Sequence, residues 1–212
     1  ELAVVVRLAG TVGDDGLTLV VVPGSDVKTR AVRTLDGSRA VADVMLDRVR
    51  VGPDRVLGPA GGAAPALRRA LEEATVALAL ETVGTCQSIF DVTLEYAKSR
   101  QQFGVPIGSF QAIKHKFADM LIALERARAT GYYAALTIAA DDERRTLAVA
   151  VAKAAAGDCQ RLLGKEGIQI HGGIGYTWEH DMHLYVKRAK SNDAFFGGTA
   201  WHRSRIASLL GI

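Results

Sequence analysis

The sequence predicts a mainly α protein in which an antiparallel four-helix bundle follows a partial antiparallel β-domain. Residues 1–57 contain short segments of alternating or continuous apolar residues, whereas apolar residues recur at spacings of three and four beyond residue 65. A glycine- and proline-rich stretch separates the two patterns. We therefore expect a partial β-domain in 1–57, a linker in 58–65 and a helical bundle in 66–212.

Four segments of the first part have strand character. They span residues 3–8, 17–22, 27–32 and 41–51. Short β-rich segments joined by polar turns are typical of an antiparallel sheet. Four strands are few for an independent core, and Glu1 opens onto a strand already under way, so we expect a piece of a longer protein.

The second part predicts four helices. Pro65 suits the first turn of the first helix, and Ser109 can cap the second. The acidic run 141–143 favours the start of the third helix, expected to end near Ile168, because the helix dipole stabilises negative charge there. The last helix is expected over about 200–210, and long helices with short joints indicate an antiparallel bundle. The apolar face expected for the second helix consists of Phe110, Ile113, Phe117, Met120, Leu121 and Leu124.

Composition excludes several classes of function. The net charge is only +3 and basic residues are interspersed with acidic ones, which argues against a nucleic-acid partner. No apolar run reaches membrane-spanning length, and we expect no membrane association. Cys86 and Cys159 are too few and too far apart for a disulfide framework or a zinc site, so we expect a reducing, cytoplasmic setting.

One group of potential metal ligands lies near the end of the chain. It consists of Glu179, His180, Asp181 and His183. We expect a charged loop and helix start here, and no metal.

Residues 96–111 form the most informative motif. They read Tyr-Ala-Lys-Ser-Arg-Gln-Gln-Phe-Gly-Val-Pro-Ile-Gly-Ser-Phe-Gln, a helix end, a tight loop and a new helix start. Arg100 at this corner stays charged and offers a planar fork of donors, which suits a phosphate or pyrophosphate. From spacing alone, an ordinary helix connection with a surface arginine is the simpler interpretation.

A second motif lies at residues 169–179, Gln-Ile-His-Gly-Gly-Ile-Gly-Tyr-Thr-Trp-Glu. Because it follows a helix rather than a strand, it is not a Rossmann fingerprint. Glycines let a ligand or another backbone approach closely, but a helix C-cap with its loop also explains them.

Together and in this order, the two motifs resemble those of the acyl-CoA dehydrogenases, flavoproteins that introduce a 2,3 double bond into acyl-CoA thioesters. The resemblance covers nearly the whole chain and corresponds to the C-terminal half of a family member, the end of the middle β-domain plus the C-terminal bundle. It implies FAD as the cofactor, an acyl-CoA substrate, an acceptor flavoprotein for the electrons, and a homodimer or homotetramer.

The resemblance also assigns the contacts to FAD. By position they fall on Arg100, Gln102, Phe103, Gln169, Gly172, Gly173 and Thr199. In the family, the arginine and phenylalanine meet the pyrophosphate and adenine, and the glutamine and glycines line the same dinucleotide across a subunit contact. The threonine before the last helix contacts FAD within its own subunit.

The family's catalytic carboxylate has no counterpart here. Its usual position falls on Phe196 or Gly197, and the alternative position in the first bundle helix falls on Ala74. Glu72 and Glu73, close by, are expected on a solvated helix face. The sequence therefore assigns no catalytic residue and leaves three hypotheses: a family enzyme, a non-catalytic partner that completes the FAD site of a base-bearing sister chain in a hetero-oligomer, or a helical module that binds nothing.

Overall fold

The computed structural model describes residues 1–212, which divide into two compact units, 1–71 and 72–212. The division falls within the first long helix, which starts at Ala64 and has Pro65 in its first turn, as predicted. No helix in either unit combines the length and apolar character that crossing a membrane requires.

The first unit is built from five short strands. They are β1 (Leu2–Arg7), β2 (Leu17–Val22), β3 (Lys28–Val32), β4 (Val41–Met45) and β5 (Val56–Leu57). β1, β2 and β5 form an antiparallel sheet with β2 in the middle, and β3 pairs with β4 separately. The strand predicted over 41–51 was wrong beyond Met45, because Arg48 adopts a left-handed φ of 53° that breaks an extended chain.

The second unit is a helical bundle, which confirms the predicted fold class. Its helices are α1 (Ala64–Ser99), α2 (Gln111–Ala139), α3 (Arg145–His171), α4 (Met182–Ala194) and α5 (Thr199–Leu210). α4 is additional to the four predicted helices. Only Met182, Ala189 and Asn192 of this polar segment are buried, so it carries little of the periodic apolar signal that marks a helix.

α3 lies at the centre of the bundle, against α2, α4 and α5. Small residues fill much of its buried surface, which lets neighbouring helices approach closely. At Gly167, a Cβ would come within 2.9 Å of Ile89 Cγ2. The main core cluster consists of Val83, Cys86, Ile89, Ala97, Met120, Ala123, Leu124, Ala127, Ala155, Cys159, Leu163, Ile170 and Met182.

Two helix starts differ from expectation. Ser109 does not cap α2: its hydroxyl donates to the carbonyl of Pro106 at 2.7 Å, and a 3₁₀ turn over Ile107–Ser109 precedes the helix. α3 begins at Arg145, after the acidic run. Asp142 lies in the turn before it, where the side-chain and backbone hydrogen bonds of Arg144 lower the pKa of its carboxyl to about 2.

α2 has apolar residues on two faces. The buried face contains Met120, Ala123, Leu124, Ala127, Gly131, Ala134 and Thr137. A second row is exposed and consists of Leu121, Ile122, Tyr132, Tyr133 and Leu136; we refer to it as the outer stripe. The placement of Leu121 on the buried face was therefore wrong, because α3 and α1 cover the opposite side of this helix, where Phe117 packs on Phe90 of α1.

Candidate functional site

The first motif folds as a miniature hairpin between α1 and α2. Strands β6 (Gln101–Gln102) and β7 (Val105–Pro106) pair antiparallel, joined by Phe103 and Gly104. Both linking residues have positive φ, 53° and 79°, which is the signature of a type I′ turn. A phenylalanine in this region of φ costs about 1–2 kcal/mol, and such local strain is often kept at binding sites.

The hairpin holds two groups out towards solvent. Phe103 is 93% exposed, with only an edge-to-face contact to Phe110 at 6.1 Å between ring centroids. Arg100 is also exposed, and its guanidinium makes no hydrogen bond or ion pair within the chain. Its backbone is fixed: its N–H donates to Tyr96 and its carbonyl accepts from Ile107, both at 2.8 Å. Gln102 is exposed beside it, and its amide donates to the carbonyl of Gln101.

The glycines of the second motif have separable structural roles. α3 ends at His171, and Gly172 follows with φ of 64° and ψ of −140°, a backbone conformation that glycine adopts far more readily than other residues. Gly175 is packed closely, since a Cβ there would lie 3.0 Å from the His171 side chain. At Gly172 and Gly173, a Cβ would meet nothing within 4 Å, so the space beside them is open. Gln169 is exposed on the last turn of α3.

An aromatic stack brings the two motifs to the same end of the bundle. The ring of His171 stacks on Tyr96, one turn before Arg100, at 4.5 Å between centroids. His180 packs on the same imidazole at 4.5 Å. Nδ1 of His171 lies 2.8 Å from the carbonyl of Gly167, and burial lowers the pKa of the imidazole. The uncharged ring of His171 thus packs between α1 and the glycine motif and connects them.

Thr199 lies elsewhere. It is buried against Gly157, and its hydroxyl donates to Asp193 at 2.9 Å. Gly157 precedes His171 by 14 residues on α3, which corresponds to about 21 Å of helix. The structure therefore brings together the residues of the two motifs and separates them from Thr199.

The family's usual base position, in the corner between α4 and α5, falls on two residues whose side chains cannot accept a proton. Phe196 and Gly197 have positive φ, 56° and 92°. Gly197 lies against Trp201, close enough that a Cβ would approach the indole to 2.6 Å. The carbonyl of Phe196 accepts a hydrogen bond from Nε2 of His202 at 2.9 Å. The backbone of this corner thus lies against the rings of Trp201 and His202.

The alternative position also lacks a free carboxylate. Ala74 is partly buried in α1. Glu72 is buried, so the expectation of a solvated face was wrong for this residue, although Glu73 is exposed. The carboxylate of Glu72 accepts from Nε of Arg145 at 3.0 Å and from the hydroxyl of Thr146 at 2.6 Å. Its oxygens therefore tie α1 to α3.

The remaining polar residues form packing contacts. No group of three His, Cys, Asp or Glu side chains is arranged to hold a metal. His183 packs on Trp178 at 4.7 Å, and the ammonium of Lys187 lies 4.0 Å from the centre of the same indole. Cys86 and Cys159 are free and buried; the hydrogen bond between them and their burial raise the pKa of Cys86, which keeps that thiol protonated.

Comparison with known proteins shows which family the chain matches. The family described as acyl-CoA dehydrogenase, C-terminal domain, matches residues 61–211. The chain belongs to the acyl-CoA dehydrogenase family. Its relatives include acyl-CoA dehydrogenase IpdE2 of Mycobacterium tuberculosis, 48% identical over 118 residues, 56% of this chain and 35% of the relative. Acyl-CoA dehydrogenase FadE34 of the same organism is 38% identical over 197 residues, 92% of this chain and 26% of the relative.

Solved acyl-CoA dehydrogenase structures share the fold. A glutaryl-coenzyme A dehydrogenase in complex with glutaryl-CoA superposes with a TM-score of 0.86 at 29% identity, over 94% of this chain and 52% of that one. Butyryl-CoA dehydrogenase from Megasphaera elsdenii gives 0.92 at 24% identity, over 99% and 56%, and supports the fold alone. The chain spans about half or less of the length of these relatives.

Proposed function

We propose that this acyl-CoA dehydrogenase chain forms part of an FAD-dependent enzyme that desaturates acyl-CoA thioesters between the α and β carbons and passes electrons to an acceptor flavoprotein. One observation carries the proposal: an unpaired guanidinium and an outward aromatic ring share one end of the bundle with two open glycines. This combination fits a dinucleotide, because it offers a cation for the diphosphate, a ring for the base and room for close approach.

Each residue at this end has a distinct part in the proposed site. Arg100 would donate two parallel N–H groups to the diphosphate. Phe103 would stack on the adenine, and the amide of Gln169 would bind base or ribose edges. The backbone at Gly172 and Gly173 would lie against the ligand where a Cβ would otherwise intrude. FAD, when bound, supplies the hydride acceptor for the β-carbon.

The missing base favours a second candidate function. Desaturation requires a group that accepts the α-proton, and neither Phe196, Gly197 nor Ala74 can do so. The one carboxylate near Ala74 on the buried side, that of Glu72, is engaged by Arg145 and Thr146. The alternative is a non-catalytic subunit that completes the FAD site of a base-bearing sister chain.

A flavin titration distinguishes the candidates. The purified protein is expected to show the absorbance band of bound FAD, and anaerobic acyl-CoA should bleach that band if the protein is a complete enzyme. Bleaching only after a base-bearing sister chain is added would identify the partner function. Absence of flavin from every assembly would contradict both.

We further propose that a second chain covers the outer stripe of α2, within a homodimer, homotetramer or hetero-oligomer. From Leu121 to Leu136 the stripe extends along about 22 Å of helix. Exposed apolar rows of this kind mark protein interfaces. Shared burial of FAD between subunits would need such an assembly. The two buried free thiols agree with a cytoplasmic setting, which is part of the same proposal.

Leu136→Glu is expected to weaken this assembly, because association would bury a charge against apolar side chains. Sedimentation velocity at several protein concentrations should show a shift to the smaller species. Leu184→Glu is the matched control, since Leu184 is also exposed but lies on α4. An unchanged sedimentation profile for Leu136→Glu would place the interface elsewhere.

A further inference from the structure

A buried lysine reaches the corner between α4 and α5 from the central helix. Lys153 on α3 is only 2% exposed. Its ammonium donates to the backbone carbonyls of Asn192 at 3.0 Å, Asp193 at 3.1 Å and Gly197 at 3.1 Å. The first two lie at the end of α4 and the third precedes α5, so one side chain ties both helices to α3.

Three donors are needed for this arrangement. An ammonium has three N–H groups, whereas an uncharged amine has two, so only the protonated side chain can bind all three carbonyls. Burial lowers the pKa of Lys153, and the charge of Asp193 acts in the opposite direction. Leaving an ammonium buried is costly unless its hydrogen bonds are made. The Lys153 ammonium therefore holds the α4–α5 corner in place. In turn, the buried ammonium is stabilised only while the three carbonyls of that corner accept its hydrogen bonds.

The same corner determines where Thr199 lies. Asp193, whose carbonyl binds Lys153, accepts the hydroxyl hydrogen of Thr199 on its carboxylate. Gly197, the third carbonyl, is two residues before Thr199. Nε2 of His202 lies 2.9 Å from the carbonyl of Phe196, the residue before Gly197. Displacement of the Lys153 ammonium would thus move the first turn of α5.

We propose that Lys153 is a positioning residue of the flavin site: its ammonium fixes the α4–α5 corner and, through that corner, the place of Thr199. This inference rests on the proposed function, because the family resemblance assigns Thr199 to the FAD bound in its own subunit. Lys153 itself touches backbone only and acts through the residues that it holds.

The test combines two measurements on the intact, flavin-loaded protein carrying Lys153→Met, which keeps an apolar chain as long as the aliphatic part of lysine and removes the ammonium donors. Hydrogen exchange followed by peptide mass spectrometry should show faster exchange in residues 192–199, with little change around 101–110. The Kd for FAD, measured well below the Tm, should rise about tenfold.

Two controls separate positioning from general loss of stability. Lys190→Met makes the same chemical change at an exposed site on α4 and should leave both measurements unchanged. Leu124→Ala removes a fully buried side chain of α2 and should lower the Tm, yet leave the Kd for FAD within about twofold. If Lys153→Met fails to fold, Lys153→Gln retains two donors without charge and replaces it.

The outcomes are separable. Faster exchange at 192–199 with weaker FAD binding supports the inference. Unchanged exchange at 192–199 in a folded variant overturns it, and so does faster exchange with an unchanged Kd, since the corner would then lie outside the flavin site. If the unaltered protein never binds FAD, the proposed function itself fails. The exchange measurement alone would not reveal that failure, so the Kd of the unaltered protein is measured as well.

Discussion

Arg100→Ala is expected to weaken FAD binding about 10- to 100-fold, the loss that follows removal of a charge-assisted, two-pronged contact to a diphosphate. The Tm of the flavin-free protein should not change, because the guanidinium makes no hydrogen bond or ion pair within the chain. Flavin content after gel filtration and the Kd from fluorescence quenching measure the effect.

Arg161→Ala is the matched control, since Arg161 is an exposed arginine of α3 that pairs with Asp158. It should leave flavin content unchanged. Arg100→Lys should fall between the unaltered protein and Arg100→Ala, because lysine keeps the charge and loses the planar fork. Full flavin retention in Arg100→Ala would show that the hairpin does not bind the diphosphate.

Glu72→Ala is expected to lower the free energy of unfolding by about 2–3 kcal/mol. Removing one partner of a buried ion pair costs about 3–5 kcal/mol, and the value here is reduced because Arg145 is 31% exposed and keeps Asp141 as a second partner at 2.7 Å. The hydroxyl of Thr146 also loses its acceptor. Urea denaturation of the intact protein, followed by circular dichroism, provides the measurement.

Glu73→Ala is the control one residue along the same helix. Glu73 is exposed, so its substitution should cost less than about 1 kcal/mol. If both variants lost the same free energy of unfolding, the contacts of Glu72 with Arg145 and Thr146 would contribute nothing to stability.

The helical part was largely predictable because its signals are local. Helix periodicity, Pro65 and the glycine-rich breaks fixed the position of α1, α2, α3 and α5 to within a few residues. The polar helix α4 was missed, since only three of its thirteen residues are buried. The type I′ turn at Phe103 and Gly104 is only half indicated by the sequence. Glycine at the second position adopts positive φ readily, whereas phenylalanine at the first position gives no indication of it.

The candidate site was predicted in parts. The sequence marked Arg100 and the two glycine-bounded motifs, but not the stack of Tyr96 on His171 that brings them together. Thr199 packs on Gly157, about 21 Å along α3 from His171. Only the family resemblance, which assigns Thr199 to the FAD of its own subunit, implied this separation. Lys153 was not predicted, although a lysine within an alanine-rich buried helix is a signal that could have found it.

Taken alone, the amino-acid order determined the family, the class of fold and the presence of a fixed cation between two long helices, because these depend on residue type and local spacing. Only the tertiary structure decided which of two adjacent glutamates is buried, which of two neighbouring leucines, Leu121 or Leu124, faces the core, and which carbonyls a buried ammonium meets. Those outcomes depend on which surfaces other helices cover, and residues distant along the chain supply that cover.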